Sequence, residues 1–265
     1  MITRILTAVV ALVLLLPILI FGGAWGACAL FALISGFSIY EMLGCCDLLK
    51  KRVVAIVSIL ASAGVVLLPV VNIIISVGAV VLGVPMLLIT FLICSVVAHK
   101  KIDVERLLMF FALAVYITSG FAALSAMRVI EGLWAVALVL SVSWATDTFA
   151  YFSGMFFGKK KLCPEISPKK TIAGAVGGTL FGTLAGVIVF WIANGTPLYG
   201  IVALPLSIIS QFGDLAASII KRRFGVKDYG KIFPGHGGVL DRFDSIIPVS
   251  VATVIVLIGM DIFRL

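Results

Sequence analysis

Charged residues are scarce in this chain. Only 12% of the 265 residues are charged, whereas 62% are apolar. Soluble domains carry roughly 25% charged and about 45–50% apolar residues. One globular core cannot hide such an apolar excess, because the surface of a soluble protein must still be covered by polar groups. The composition therefore excludes a soluble enzyme, a disordered chain and a secreted disulfide scaffold, and it indicates an integral membrane protein.

Cysteine pairs and acidic residues are also few. The five cysteines include no C-x-x-C pair, and four of them lie in or beside apolar stretches. We therefore interpret them as small core residues. Twelve acidic residues face 20 lysines and arginines, which gives a net charge of +8. In a membrane protein this balance indicates basic cytoplasmic loops beside anionic lipid head groups, and we expect no nucleic-acid partner.

Long apolar runs dominate the sequence. A helix needs roughly 20 apolar residues to cross about 30 Å of hydrocarbon. We therefore predict an all-α polytopic membrane protein of about nine transmembrane helices, whose first apolar run stays as an anchor. The break between the first two runs is short, which predicts either a tight helical hairpin or one long kinked helix. The predicted spans are residues 5–21, 25–40, 53–71, 74–98, 107–127, 133–157, 172–193, 201–220 and 246–263.

Lysine and arginine predict the orientation of these spans. With nine spans and a cytoplasmic N-terminus, every basic residue except Arg128 and Arg264 falls on the cytoplasmic side. Short loops follow this positive-inside rule best. The loops of residues 1–128 are small and bland, which is typical of a scaffold facing lipid. Polar residues enter the helices in residues 129–265, which also carry two longer cytoplasmic segments, 158–171 and 221–245.

Two carboxylates lie well inside predicted spans, Asp147 and Asp214. A charge at the bilayer centre costs about 2.5–3.5 kcal/mol on insertion scales, so such residues face the bundle interior and usually serve a function. Asp214 shares one helix face with Gln211, Ser218 and Lys221. For this polar stripe we favour a functional site over a hydrogen-bonded seam between helices.

Other residues in these spans have simpler interpretations. Ser207 and Ser210 favour a hydrogen-bonded seam, and the Gly154-x-x-x-Gly158 pair favours close helix packing. Asp147 either faces the same site as the polar stripe or forms a structural ion pair with a lysine.

Segment 158–171 carries two lysine clusters. Its run Ser167-Pro168-Lys169-Lys170-Thr171 precedes a glycine-rich helix start, which looks like a phosphate cradle. Backbone N–H groups and the positive end of the helix dipole favour an anion there, and lysines add charge. It is not a Walker A loop, because no G-x-x-x-x-G-K-[ST] occurs. The cluster 159–161 is better explained by topology, as lysines that touch lipid head groups.

Segment 221–245 is the densest polar stretch of the chain. The run Pro234-Gly235-His236-Gly237-Gly238 predicts a tight turn that exposes its backbone. Asp241 and Asp244 share one face of the following helix start. Hard carboxylates suit Mg²⁺ completed by substrate phosphates, and the arginines and lysines of this segment together suit a polyphosphate. His236 is either structural or a donor to phosphate.

These polar residues form a long composite motif. It includes Asp147-x-x-Ala150-Tyr151-x-x-Gly154, the Ser-Pro-Lys-Lys-Thr run, Gln211-x-Gly213-Asp214 and Ser218-x-x-Lys221-Arg222-x₄-Lys227-Asp228-x-Gly230-x-x-Phe233-Pro234-Gly235-His236-Gly237-Gly238-x-x-Asp241-Arg242-x-Asp244. The motif resembles the signature of the phosphatidate cytidylyltransferase (CDP-diacylglycerol synthase) family, without departure along its length. Residues before Arg128 resemble that family only in hydropathy.

The resemblance implies a reaction of phospholipid biosynthesis, in which CTP and phosphatidate give CDP-diacylglycerol and pyrophosphate with Mg²⁺. It also implies a homodimer in a bacterial-type inner membrane, with the active site facing the cytoplasm and contacts to membrane lipids. A second cation is left open. We expect no strong general base, because a lipid phosphate is already ionised near pH 7.

The resemblance further implies roles for single residues. Asp214 and Asp241 would be metal ligands with Asp244 in support, while Lys221, Arg222 and Lys227 would neutralise phosphates. The expected substrate-binding residues are Ser167, Lys169, Lys170, Thr171, Gln211, Ser218, Asp228, His236, Gly237, Gly238, Arg242 and Asp147.

Other classes of membrane protein fit less well. A transporter also places carboxylates in the membrane, but it predicts binding groups near the midplane and repeats in both halves. Here the polar groups concentrate on the cytoplasmic side of one half. A CDP-alcohol phosphotransferase requires an Asp-Gly…Ala-Arg…Gly…Asp…Asp pattern, which is absent. A purely structural protein would have little use for so many charges in its spans.

Overall fold

The computed structural model describes residues 13–71, 73–98, 103–195, 197–233 and 237–262, most of which are helical. The predicted helical class is confirmed, and the helix bounds fall within a few residues of most predicted spans. The helices are α1 (residues 13–21), α2 (Gly23–Cys45), α3 (Arg52–Val71), α4 (Ile73–Ala98), α5 (Val104–Ile130), α6 (Leu133–Phe157), α7 (Ile172–Asn194), α8 (Ala203–Arg223), α9 (Leu240–Phe243) and α10 (Ile246–Ile262).

Six helices in the described chain are long and apolar enough to cross a membrane. They are α2, α3, α5, α6, Ile172–Ala193 of α7, and Gly200–Arg223, which joins the 3₁₀ turn Pro197–Val202 to α8. Two shorter apolar stretches are Gly83–Val96 and Ile246–Met260. The chain is thus a multi-pass membrane protein by the length and composition of its helices. The count of nine and the cytoplasmic N-terminus stay predictions, and residues 5–12 of the first span lie outside the described residues.

α1 and α2 meet at a sharp turn. Gly23 has a φ of +62°, a conformation that glycine adopts readily. A Cβ built on Gly26 would lie 3.7 Å from Ile18 Cγ2. Eight residues of straight helix would separate these positions by about 12 Å. Of the two alternatives for this break, the described residues therefore show a tight turn rather than one gently kinked helix.

A short β-hairpin departs from the all-α prediction. β1 (Lys161–Cys163) pairs antiparallel with β2 (Ser167–Thr171), and Lys161 lies opposite Thr171. The fold class is nearly all-α as predicted, and this hairpin is an exception whose cause the sequence contains. Pro164 and Pro168 disfavour helical backbone in the residues before them, Cys163 and Ser167, and keep those residues extended.

The described chain forms two compact units. The first unit comprises Met1–Leu133 together with Phe224–Phe243, and the second comprises Trp134–Arg223 together with Asp244–Leu265. The motif-bearing loop of residues 224–243 therefore belongs with helices α1–α5, although the chain on both sides of it belongs to the second unit.

A buried chain of hydroxyl groups joins three helices of the first unit. Ser35 on α2 and Ser62 on α3 lie within hydrogen-bond distance at 2.7 Å, and Ser62 contacts Thr118 on α5 at 2.8 Å. All three side chains are buried. Inter-helix hydrogen bonds of this kind stabilise packing where apolar burial gives little drive between helices in lipid.

Three of the five cysteines pack as buried small residues, as predicted, and Cys45 and Cys163 are half-buried. Cys28, Cys46 and Cys94 are buried, and the five cysteines are free thiols. Burial raises the pKa of the Cys46 thiol to about 12, so this group stays protonated at neutral pH.

In the second unit, α7 packs on α6 through small residues. A Cβ on Gly174 would lie 2.6 Å from the Ala150 carbonyl oxygen, and one on Gly178 would lie 2.8 Å from that of Thr146. Side chains at these positions would force the helices apart, so glycine permits the close approach. This packing holds the start of α7 beside the C-terminal half of α6. The sequence predicts that this end of α6 is cytoplasmic.

Candidate functional site

The predicted phosphate cradle forms the entry to α7. Thr171 is the N-cap of this helix, and its Oγ1 accepts a hydrogen bond from the Gly174 N–H at 3.1 Å. A Cβ on Gly154 would lie 2.9 Å from the same hydroxyl, which supports the packing interpretation of the Gly154-x-x-x-Gly158 pair. The Thr171 hydroxyl therefore caps the helix, while Lys169 is exposed and Ser167 is half-buried.

Lys170 connects this cradle to the polar stripe of α8. Its Nζ lies 2.6 Å from Asp214 Oδ2, and the two side chains are 25% and 32% exposed. Charge-assisted contacts of this length are among the stronger polar interactions in proteins. Two motifs more than 40 residues apart in the sequence thus form one half-buried ion pair.

Gln211 begins the polar stripe and contacts α7. Its Nε2 donates to Thr179 Oγ1 at 2.9 Å and to the Ala175 carbonyl oxygen at 3.2 Å. One turn earlier, Ser207 Oγ lies 2.8 Å from Thr146 Oγ1 of α6, so its predicted role in a helix seam is confirmed. Ser210 is buried and its Oγ has no hydrogen-bond partner among the described atoms.

A second lysine–aspartate pair lies at the other end of the stripe. Lys221 Nζ lies 3.5 Å from Asp244 Oδ2, and the two side chains are only 13% and 12% exposed. Asp244 Oδ1 also accepts the Ser245 N–H at 2.9 Å. Removing one partner of such a pair leaves a poorly solvated charge, which is strongly destabilising. The Lys221–Asp244 pair therefore connects the end of α8 to the residues directly before α10.

Asp147 on α6 joins the start of α10. Its Oδ2 accepts a hydrogen bond from Ser245 Oγ at 2.9 Å. This contact places Asp147 beside Ser245, the residue that follows Asp244. The two alternatives for Asp147, a place in the site of the polar stripe or an ion pair with a lysine, stay predictions. The structure thus brings an intramembrane carboxylate of α6 next to the second lysine–aspartate pair.

Gly213 explains how α8 and α10 come so close. A Cβ at this position would lie 2.5 Å from Pro248 Cγ and 2.9 Å from the Asp244 carbonyl oxygen. Any larger residue would push α10 away from α8. The glycine of the Gln211-x-Gly213-Asp214 motif is therefore required by packing.

In the first unit, Asp241 organises the glycine-rich loop. Asp241 is buried, and its Oδ2 accepts the N–H groups of Tyr229 at 2.8 Å and Gly238 at 2.9 Å. The Phe233 N–H donates to the Gly237 carbonyl oxygen at 2.9 Å. Gly237 has a φ of +86°, a region that favours glycine. Pro234, Gly235 and His236 lie outside the described residues, so the role of His236 stays a prediction.

The remaining predicted site residues are placed as follows. In the first unit Lys227, Asp228 and Arg242 are exposed and Gly238 is buried, and in the second unit Arg222 is exposed at the end of α8 while Ser218 is half-buried.

Glu41 is a residue that sequence reasoning missed. It lies near the end of α2, is 4% exposed, and accepts the N–H groups of Val239 and Leu240 at 2.9 Å each. The predicted span ended at Tyr40, so Glu41 fell outside it in a predicted loop. An acidic residue directly at the end of an apolar run was the available signal.

A sequence profile of the Cytidylyltransferase family matches residues 2–259. The chain belongs to this family. It is similar to a phosphatidate cytidylyltransferase of Staphylococcus haemolyticus, with 34% identity over 97% of this chain and 99% of the relative. The counterpart in Staphylococcus saprophyticus is 34% identical over 91% of this chain and 93% of the relative. A Brucella abortus protein of the same name is 44% identical over 147 residues, 53% of this chain and 54% of the relative.

Aspartate carboxylates are among the oxygen ligands that Mg²⁺ prefers. Among the described residues of either unit, no three His, Cys, Asp or Glu side chains lie together as a metal cluster. Mg²⁺ is commonly held by one or two carboxylates plus substrate phosphates and water. The Asp214 and Asp244 carboxylates, each balanced here by a lysine, fit that second type of site.

An apolar groove of about 540 Å³ lies between β1, α7 and α8, near the Lys170–Asp214 pair. Gln211 and Leu215, which line it, flank Asp214 on α8. This volume lies within the range of small-molecule sites. The other lining residues are Leu162, Cys163, Ala175, Val176, Thr179, Leu180, Leu204, Ile208 and Phe212.

Proposed function

We propose that the protein transfers the cytidylyl group of CTP to phosphatidate, giving CDP-diacylglycerol and pyrophosphate in phospholipid biosynthesis. The observation that carries this proposal is the second unit's combination of two lysine–aspartate pairs with an adjoining apolar groove. The first feature suits phosphate groups and the second suits a lipid chain. Family membership and the names of the relatives support the same reaction.

In the proposed reaction an oxygen of the phosphatidate phosphate attacks the α-phosphorus of CTP. A new P–O bond forms as the bond between the α-phosphorus and pyrophosphate breaks. The attacking oxygen is already ionised near pH 7, so positioning and charge neutralisation are the main requirements. We assign Lys170 and Lys221 to the phosphates, with Arg222 at the surface end of α8.

We assign Mg²⁺ as the cofactor, with Asp214 and Asp244 as the residues that would hold it. When bound, Mg²⁺ would withdraw charge from the phosphoryl oxygens. Asp241 stays a ligand predicted by resemblance, and a second cation stays open. Asp147 would orient the start of α10 through Ser245.

We also propose that the protein works as a homodimer in a bacterial-type inner membrane, with its active site facing the cytoplasm. The distribution of lysine and arginine supports the orientation. Lys170 and Lys221, which pair with the aspartates, both lie in segments predicted to be cytoplasmic.

Purified protein in mixed micelles should convert labelled CTP and phosphatidate into labelled CDP-diacylglycerol, with one pyrophosphate released per lipid product. A chelator should stop the reaction and added Mg²⁺ should restore it. Diacylglycerol, which lacks the phosphate nucleophile, is the control substrate and should give no product. Pyrophosphate release without a nucleotide-bearing lipid would contradict the proposal, because it would indicate hydrolysis of CTP.

A bulky residue in the groove should weaken the lipid substrate selectively. Leu180 lines the groove, whereas Leu184, one turn further along α7, is similarly exposed but does not line it. We expect Leu180→Trp to raise the apparent KM for phosphatidate about 5- to 10-fold, the loss associated with one or two displaced methylenes. The KM for CTP should change less than about 2-fold.

Leu184→Trp is the matched control for this experiment and should leave both KM values near those of the unchanged protein. Equal effects of the two substitutions on phosphatidate would remove the groove from the lipid site.

A further inference from the structure

The Glu41 carboxylate lies against the backbone of the loop that carries the signature residues. Its two oxygens accept separate N–H groups, Oε1 from Val239 and Oε2 from Leu240. Glu41 is buried on α2, almost 200 residues away from these partners in the sequence. Buried N–H groups need such acceptors, because a lost acceptor leaves a desolvated donor unpaired.

Two glycines of the loop are shaped around this carboxylate. A Cβ on Gly230 would lie 2.9 Å from Glu41 Cγ, and one on Gly238 would lie 2.5 Å from Glu41 Cδ. Both distances are too short for a side chain. The glycines at these motif positions therefore let the loop backbone close over Glu41.

Further contacts within the first unit hold the same loop. Asp241 accepts the N–H groups of Tyr229 and Gly238, and the Cys45 thiol of α2 donates to the Tyr229 carbonyl oxygen at 3.7 Å. The Phe243 ring packs against Phe121 of α5 with centroids 5.3 Å apart. Glu41 is the part of this arrangement that fixes Val239 and Leu240, directly before Asp241.

We propose that Glu41 is a positioning residue that holds the described part of the loop, residues 224–233 and 237–243, in the conformation competent to bind the nucleotide. The inference rests on the proposed function for the identity of the nucleotide. Glu41 does not touch substrate in this account. It acts through the loop backbone, which presents the exposed Lys227, Asp228 and Arg242.

Glu41→Gln tests this role because it keeps the size of the side chain and replaces one acceptor oxygen by an NH₂ donor. That donor would face a backbone N–H. We expect the apparent KM for CTP to rise roughly 5- to 50-fold, as for a buried N–H left without its acceptor, with the KM for phosphatidate within about 2-fold. Glu41→Asp keeps the charge but shortens the reach, so it should give a smaller rise.

Ser35→Ala is the control on the same helix. It removes the buried hydrogen bond to Ser62, so it should lower the unfolding temperature while leaving both KM values unchanged. If Glu41→Gln behaves as Ser35→Ala does, or raises both KM values equally, Glu41 has only a structural role and the proposal is wrong.

A second readout does not depend on catalysis. Trypsin cleavage after the exposed Lys227 and Lys231 reports how firmly the loop is held, in the absence of any substrate. Glu41→Gln should raise the rate of cleavage in the loop at least about 5-fold, and Ser35→Ala should not. An unchanged rate would overturn the positioning role even if CDP-diacylglycerol synthesis were established. If Glu41→Gln raises the rate of trypsin cleavage but the unchanged protein does not make CDP-diacylglycerol, the positioning role of Glu41 is supported. That result would refute only the proposed function.

Discussion

Asp214→Asn is expected to lower kcat/KM for both substrates by about 100- to 1000-fold while the helices stay folded. Asparagine keeps the size of the side chain but removes the charge that faces Lys170 at 2.6 Å and that we assign to Mg²⁺. A metal ion supplies several kcal/mol of stabilisation to the developing charge, and each 1.36 kcal/mol corresponds to a factor of ten in rate. Steady-state kinetics in mixed micelles would measure the loss, and circular dichroism would check the helix content.

Asp47→Asn provides the matched control. Asp47 also pairs with a basic residue, Arg106 at 3.2 Å, but both side chains are largely exposed and lie outside the motif. Exposed ion pairs contribute about 0–1 kcal/mol, so this variant should keep its activity within about 2-fold. Near-normal turnover of Asp214→Asn at low Mg²⁺ concentration would contradict the ligand role of Asp214.

Most of the helical architecture could be predicted because the bilayer imposes one length on every span. Residues 133–157 were predicted as a span and form α6, and most of the other apolar runs give helices with similar bounds within the described residues. The β-hairpin was missed because strands of three and five residues are too short to show an alternating pattern. Glu41 was missed because hydropathy falls after Tyr40 and the predicted span ended there, whereas α2 continues to Cys45.

The polar face of α8 could be predicted from the sequence, but the partners of its side chains could not. Helical spacing places Gln211, Asp214 and Lys221 on one face of α8, since that depends only on the period of the helix. The partners of those residues come from elsewhere in the chain. Lys170 reaches Asp214 because the hairpin leads directly into α7, and Asp244 reaches Lys221 because Gly213 permits close packing of α10.

The assignment of residues 224–243 to the first unit was equally beyond reach of the sequence. Within the first unit, Glu41 of α2 accepts two N–H groups from the backbone of this loop. No local pattern near residue 230 identifies so distant a partner. Arg222 belongs to the second unit, and Lys227 belongs to the loop of the first.

Lys227→Ala and Arg222→Ala are expected to affect different substrates. Lys227 belongs to the loop held by Glu41 and Asp241, which we assign to the nucleotide, so its loss should mainly raise the KM for CTP. Arg222 lies in the last turn of α8, the helix that lines the apolar groove, and its guanidinium can reach a lipid phosphate at the membrane surface. Its loss should mainly raise the KM for phosphatidate.

The size of both effects follows from the energy of one contact. A charge-assisted hydrogen bond to phosphate contributes about 1.5–3 kcal/mol, which corresponds to roughly 10- to 150-fold in kcat/KM for the affected substrate. Arg223→Ala, next to Arg222 but outside the motif, is the control and should change either value less than about 3-fold. Kinetics with each substrate varied in mixed micelles separate the two losses. Equal losses for both substrates in both variants would mean that Lys227 and Arg222 serve one shared phosphate cluster, because a single site for both substrates could not distinguish the two cations.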